Sequence, residues 1–406
     1  MKKDVFVPAD ILIPKGITLG KWSVIACDQF SSEPDYWETL RASLGGEPST
    51  LYLILPEAFL DRIDTEQEIE KISRAMEYYA GQKIFEKIEK SFIYIERTLL
   101  DGSVRRGLLG AVDLDEYDYS GGKASILASE GTVLDRLPAR IGIRRVARYE
   151  LPHIMAFIDD IEKTVIEPLS KKCDKLPVLY DFELSGGGGR IKGRCVCGND
   201  ADEVAAAMRA LHEKKNPLII IGDGNHSLAA AKVYWDELKK NLSAAERENH
   251  PAGKALLEIN NVYDPAIKFE AIHRIILDTD PGKFITAMAG TLTGGSDYTL
   301  HWFSSGQNGT IGISAGCIGD MLTELQAFLD SYMNSAGCRV DYIHGEDVVR
   351  QLSREKSRTG LILPTMDKSE LFRTVISKGL FPKKSFSVGH ARDKRYYLEC
   401  REIVYN

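Results

Sequence analysis

The chain has 406 residues, 44% of them hydrophobic and 27% charged, with a formal net charge of -7. That is ample material for two globular domains with real cores, and the acidic balance argues against a surface built to coat nucleic acid. No apolar run reaches membrane-spanning length, Met1-Lys2-Lys3-Asp4 leads into no signal-peptide core, and seven cysteines without a framework suit a reducing cytoplasm.

In chain order, Val5 to Pro8 and Trp22 to Cys27 read as strands. The second releases Asp28 and Gln29 at its end, either as site residues at a strand's C-terminal edge or as a cap for the next turn. A helix is expected from Ser32 to Leu44 and a short strand from Leu51 to Leu55. A long helical pattern runs from Asp64 to Lys90, and Phe92 to Thr98 pairs with Val104 to Asp113 through the Asp101-Gly102 turn. Ile126 to Arg145 then crowds Glu130, Thr132, Asp135, Arg136, Arg140, Arg144 and Arg145 together. Such a stretch is a surface ion-pair lattice or a set of phosphate forks. The apolar strand Leu151 to Phe157 ends at Asp159-Asp160, which suit a divalent cation or a helix cap.

Strands Val178 to Leu184 and Arg190 to Cys197 flank the run Gly186 to Gly189, read as a mobile hairpin tip or lid because it lacks the lysine and helix of a phosphate loop. Cys195 and Cys197 share a face of their strand, but no second pair completes a zinc site, which favours a structural role. The helix Asp200 to Glu213 delivers the chain to Leu218 to Ile221, a buried strand. There follows Gly222-Asp223-Gly224-Asn225-His226-Ser227 and a new helix. Two glycines leave room for positive φ and close ligand approach, and Asn225 or Ser227 stands where an N-cap belongs. A strand, a glycine turn and a fresh helix N-terminus make an anion site, because unpaired N–H groups and the positive dipole end converge there. Asp223 and His226 add acid/base or metal-binding chemistry.

Glu258, Asn260 and Asn261 interrupt the strand Ala255 to Tyr263 and suggest a lined site. His273-Arg274, on the strand Ile267 to Ile276, is a reserve phosphate contact or a matched structural pair. A composition shift near Pro281 divides the chain into an α/β catalytic domain, 1–280, and a smaller α+β domain, 281–406. The second domain closes with strands around Ser385 to Val388 and Arg395 to Ile403.

Several segments together resemble the prokaryotic family called domain of unknown function 1015. These are V-I-A-C-D-Q-F, A-S-E-G-T-V-L-D-R-L-P-A-R, L-P-H-I-M-A-F-I-D-D, the strand–G-D-G-N-H-S–helix, E-I-N-N-V-Y-D-P with E-A-I-H-R, D-Y-I-H-G and F-P-K-K-S-F-S-V-G-H. Most relatives read D-G-H-H-R at the central turn; here Ser227 replaces the arginine, which removes one phosphate fork. The turn is also similar to that of the ParB/sulfiredoxin-like fold, which includes free serine kinases.

The resemblance implies a ParB/sulfiredoxin-like first domain and phosphoryl transfer from ATP, ADP or pyrophosphate to serine or another small hydroxylated metabolite. On that reading Asp223, His226, Gly222, Gly224, Asn225 and Ser227 hold the donor, and Asp28 or Glu130 is the general base. Arg136, Arg140 or the pair His273 and Arg274 neutralises charge, and Asp223 or the pair Asp159 and Asp160 holds Mg²⁺. A nucleotide-binding regulatory module without turnover and a metal-dependent hydrolase are the alternatives, although no H-E-x-x-H or G-x-S-x-G motif supports the last. A small-molecule substrate is expected and neither nucleic acid nor membrane as partner, with a homodimer left open.

Overall fold

The computed structural model describes residues 4–60, 62–132, 137–292 and 294–405. The chain is mixed α/β, as expected, and divides into two compact units that interleave in sequence. Unit 1 comprises 1–128, 132–267 and 390–406; unit 2 comprises 129–131 and 268–389. These bounds differ from the 280/281 division: residues 268–280 pack with the later part of the chain, and the C-terminal residues from His390 pack with the earlier part.

Unit 1 is organised on one large sheet. Its strands are β1 (Phe6–Val7), β2 (Ala9–Pro14), β3 (Phe85–Thr98), β4 (Val104–Asp113), β5 (Tyr117–Asp118), β6 (Ile126–Ala128), β8 (Met155–Ile158), β9 (Val178–Glu183), β10 (Arg190–Val196), β11 (Ile219–Asp223) and β12 (Lys254–Asn261), while β7 (Tyr149–Glu150) pairs separately with Arg401–Glu402. The order is β5-β6-β11-β8-β12-β4-β3-β10-β9, with β1 beside β4 and β2 beside β3. The hairpin expected at Asp101-Gly102 joins β3 to β4. At the centre of the sheet, β8 and the Ile219 to Ile221 run of β11 are buried, as continuous apolar runs require, and β12 beside them is buried although polar residues interrupt it.

Other expectations change. Trp22 to Cys27 is not a strand: a helical turn, Leu19–Trp22, leads into an extended segment that pairs with the C-terminal chain through Ile25 and Tyr396. Thr50–Leu53 is a 3₁₀ turn rather than a strand, with Ser49 capping it. The long helical pattern stops at Gly81 (helix Thr65–Gly81), and β3 begins at Phe85. The glycine run is no loose tip. The Gly188 carbonyl accepts from the buried Arg97 at 2.8 Å, Tyr396 donates its hydroxyl to Ser185 O at 3.0 Å, and a Cβ at Gly188 would lie 2.6 Å from that hydroxyl.

The C-terminal segment is tied into unit 1 by buried arginines. Arg395 reaches Glu258 at 2.9 Å and Glu399 at 2.7 Å and donates to Pro152 O at 2.6 Å. Arg105 donates to Asp393 O at 2.7 Å, and Arg97 donates to Arg392 O at 3.0 Å while lying over the Tyr396 ring. Glu258, Asn260 and Asn261 thereby serve the packing of β12 rather than line a site. Asn260 bonds Arg106 O and Glu258, and Asn261 bonds Asp160 O and Glu167.

Unit 2 is a six-stranded sheet made of β13 (Phe269–Leu277), β14 (Gly294–Ser304), β15 (Gln307–Ile313), β16 (Arg339–His344), β17 (Arg358–Ile362) and β18 (Phe386–Val388), in the order β15-β14-β17-β13-β16 with β18 also on β13. Helices Pro281–Thr291, Ile318–Ala336, Glu346–Leu352 and Lys368–Lys378 accompany it. Glu130 belongs here: it bridges to Phe381 and accepts from the backbone N–H groups of Lys384 and Ser385 at 3.2 Å each. Burial pushes its carboxyl up to about 7 against those hydrogen bonds.

Two outcomes follow from these buried charges. Arg395→Met strands two buried carboxylates and should cost about 3–5 kcal/mol in urea unfolding, partly recovered by adding Glu258→Gln and Glu399→Gln. Glu130 has a folded pKa of about 7 against an ordinary 4.5, so its contribution is full below 4.5 and lost as pH rises to about 7. Melting profiles of wild type and Glu130→Gln should therefore diverge across that window and run parallel above it.

Candidate functional site

The turn after β11 is built as a strand-to-helix corner. Helix Asn225–Leu238 starts from Gly224, which has φ +80° and provides no side-chain cap, so neither Asn225 nor Ser227 is the N-cap. Each glycine has a separate physical reason. A Cβ at Gly222 would sit 2.2 Å from the Phe157 ring, so this glycine serves packing on β8 rather than ligand approach; Gly224 needs its left-handed φ and lies against Ile154.

Asp223 ends β11 with its Oδ1 3.3 Å from the Lys394 ammonium, while its Oδ2 has no hydrogen-bond partner among the described residues. Lys394 is buried, and the backbone bonds of Arg395 O to Ala26 N and of Val24 O to Tyr397 N bring its segment alongside Asp28. Gln29 donates to Asp28 Oδ1 at 3.0 Å. On the same side, His153 just ahead of β8 is buried, with its Nε2 3.2 Å from the Ser227 hydroxyl and its ring edge-on to Tyr397. Arg140, on helix Leu137–Val146, is bonded to Glu57.

The electrostatics separate the two carboxylates. Burial and the neighbouring Asp28 raise Asp223, against the pull of Lys394. Burial also works against an ionised Asp28, but His153, Gln29, Arg140 and Lys394 outweigh it and hold that carboxyl below its usual range. Burial drives His153 down to about 4 despite Asp28, so the imidazole is neutral at pH 7. Two neighbouring buried acids whose proton affinities are pushed in opposite directions are a common arrangement where one of them serves as a base.

Of the residues singled out from the sequence, Asp28, Gly222, Asp223, Gly224, Asn225, His226, Ser227 and Arg140 fall in unit 1, and Asp28, Asp223, Ser227 and Arg140 take part in this one cluster. Asp159 and Asp160 do not form a cation pair. Asp159 binds Lys215 at 2.6 Å and accepts from Tyr263 at 2.8 Å, while Asp160 accepts from the N–H groups of Thr164 and Val165 in a turn. Among the described residues, no group of three or more His, Cys, Asp or Glu could hold a metal ion.

Glu130, His273 and Arg274 belong to unit 2. His273 Nδ1 accepts from Leu363 N, and Arg274 lies over the Tyr342 ring and donates to the Ile272 carbonyl. Arg136, with its neighbour Asp135, lies outside the described residues. Arg144 pairs with Glu150 and Arg145 with Glu237, so most of the arginine-rich stretch is an ion-pair lattice. His153 and Lys394 were not singled out. The first sat inside an apolar strand pattern, and the second is brought in from far along the chain.

No protein of curated function matches the chain. Among solved structures it is similar to SbnI with a C-terminal truncation from Staphylococcus aureus (10% identity, 69% of this chain and 83% of that one, TM-score 0.37). It is also similar to a free serine kinase variant in complex with ADP (11% identity, 71% and 91%, TM-score 0.38) and to a conserved hypothetical protein from Pyrococcus furiosus (13% identity, 71% and 90%, TM-score 0.33). The model for proteins of unknown function DUF1015 matches residues 12–373, and the chain belongs to that family.

Proposed function

We propose that unit 1 is a small-molecule phosphotransferase of ParB/sulfiredoxin-like type, transferring a phosphoryl group from a nucleotide or pyrophosphate to a hydroxyl. The observation that carries this reading is the opposed pair Asp28 and Asp223 around Lys394, at the start of an uncapped helix. Free serine is the acceptor that the sequence resemblance implies.

Asp28 is held ionised and accepts the hydroxyl proton as the acceptor oxygen bonds to phosphorus and the donor's bridging oxygen leaves. The amides of the Asn225–Leu238 N-terminus face the donor phosphates, and Lys394 and Arg140 supply the positive charge that the developing transition state needs. The partnerless Asp223 Oδ2 fits a cation bound jointly by protein and phosphate, since Mg²⁺ commonly takes only one or two carboxylates with the rest from phosphate and water. Asp223 would hold it, and it would neutralise charge on the donor. Neutral His153 orients the Ser227 hydroxyl.

Incubating the protein and Mg²⁺ with ATP, ADP or pyrophosphate and a panel of hydroxylated metabolites should yield a phosphorylated acceptor by ³¹P NMR. No product from any donor, with a nucleotide still stabilising the fold stoichiometrically, sinks the reading in favour of a regulatory module. Asp28→Asn should lower the rate by about 10²–10⁴-fold while nucleotide binding persists. For His153 the folded pKa of about 4 lies below the ordinary 6.5. Its stabilising contribution is therefore present above 6.5 and lost as pH falls towards 4. The acid limb of the melting profile should be shallower in His153→Asn than in wild type.

A further inference from the structure

Beside the Asp28 and Asp223 cluster, and wholly within unit 1, lies a cavity of about 140 Å³. Leu53, Met76, Ile143, Ala231, Leu256 and Ile403 supply much of its wall, all of them apolar. Its polar groups are few and specific. His153, Ser227 and Tyr397 form one stretch of the wall, with the Ser227 hydroxyl 3.2 Å from His153 Nε2 and the Tyr397 ring against the imidazole. The charged lining residues have partners within the protein: Arg140 pairs with Glu57, and Arg144 with Glu150, which Arg401 also holds from outside the lining.

Protein interiors rarely leave space larger than a water, and a dry apolar cavity of about 150 Å³ is large enough to take benzene. A cavity of this size, walled largely by apolar side chains and with the Ser227 hydroxyl and the His153 imidazole together at one place on its wall, has the form of a ligand pocket with one oriented polar end. A zwitterion placed there would bring an ammonium, and the lining carboxylate Glu150 is already held by Arg144 and Arg401, a desolvation cost that nothing repays.

We infer that this cavity binds the apolar body, of isobutyl or phenyl size, of the alcohol whose hydroxyl reacts at Asp28. The acceptor class is then a neutral apolar alcohol rather than an amino acid. The inference rests on the phosphotransfer reading for the word acceptor, but not for the binding itself.

The test measures binding of benzyl alcohol, isobutanol and serine to the full-length protein by calorimetry and by ligand-observed NMR, without nucleotide. Two variants fill the space from different sides, Ala231→Val and Ala147→Leu, so that one remains informative if the other fails to fold. The expected result is saturable binding of benzyl alcohol or isobutanol by wild type, weakened roughly tenfold or more in the filled variants, with ATP binding kept. Wild type that binds neither alcohol, or filled variants that bind as wild type does, overturns the inference. Alcohol binding without turnover from any donor would remove the phosphotransfer reading and leave the cavity assignment standing. Turnover of serine alone, with no alcohol bound, would do the reverse.

Discussion

The Arg395 guanidinium is the contact on which the site depends. It is fully buried and faces Glu258 on β12 and Glu399 four residues along its own segment, and it also binds the carbonyl of Pro152. A lone buried arginine would be ruinous; one between two carboxylates is tolerable because the other oxygen of each carboxylate is also hydrogen-bonded. Asn260 and Arg105 attend Glu258, and the Tyr180 hydroxyl bonds Glu399. Replacing such a network with hydrocarbon often leaves stability unharmed, so its physical value here lies in direction. It fixes the register of residues 393–397 against residues 24–28 on one side and the start of β8 on the other. That register puts Lys394 on Asp223.

From that placement the charges sort themselves. Asp223 and Asp28 are close enough to perturb one another, and a single ammonium cannot satisfy both in a buried setting. The balance falls to Asp28 because it also has Gln29 and Arg140, whereas Asp223 has Lys394 on one oxygen and no hydrogen-bond partner on the other. His153 is kept neutral by burial even with a carboxylate nearby, so it serves as a hydrogen-bonding partner of Ser227 rather than as a charge.

The sequence carried the local half of this arrangement. An aliphatic run followed by G-D-G-N-H-S and helix formers specifies a buried strand, a positive-φ corner and a helix start, and β11, Gly224 and the helix Asn225–Leu238 follow that pattern. Residues paired over short spans, such as β3 with β4, were equally legible. What could not be read was non-local. Nothing in R-D-K-R-Y-Y distinguishes a strand of the second unit from a segment that returns to the first, because the deciding partners, Glu258 and residues 24–26, lie far away in sequence. The acids at Asp159 and Asp160 misled for the converse reason. Composition places a carboxylate at a strand end but does not say whether Lys215 or a turn N–H will already be there.

Ser227 makes the same point about charge. An arginine at that helix position would bring its own phosphate fork to the turn; a serine brings only a hydroxyl, which here engages His153. The positive charge at this corner instead comes from Lys394 on the returning C-terminal segment and from Arg140 on the helix Leu137–Val146. A buried ammonium set by a distant network is a point charge in a fixed place, whereas an arginine on the turn would move with the turn. Ser227 on the first turn of the helix, with Ala230 and Ala231 on the next, lines the neighbouring cavity. The small side chain at position 227 thus faces both the His153 imidazole and the cavity beside the turn.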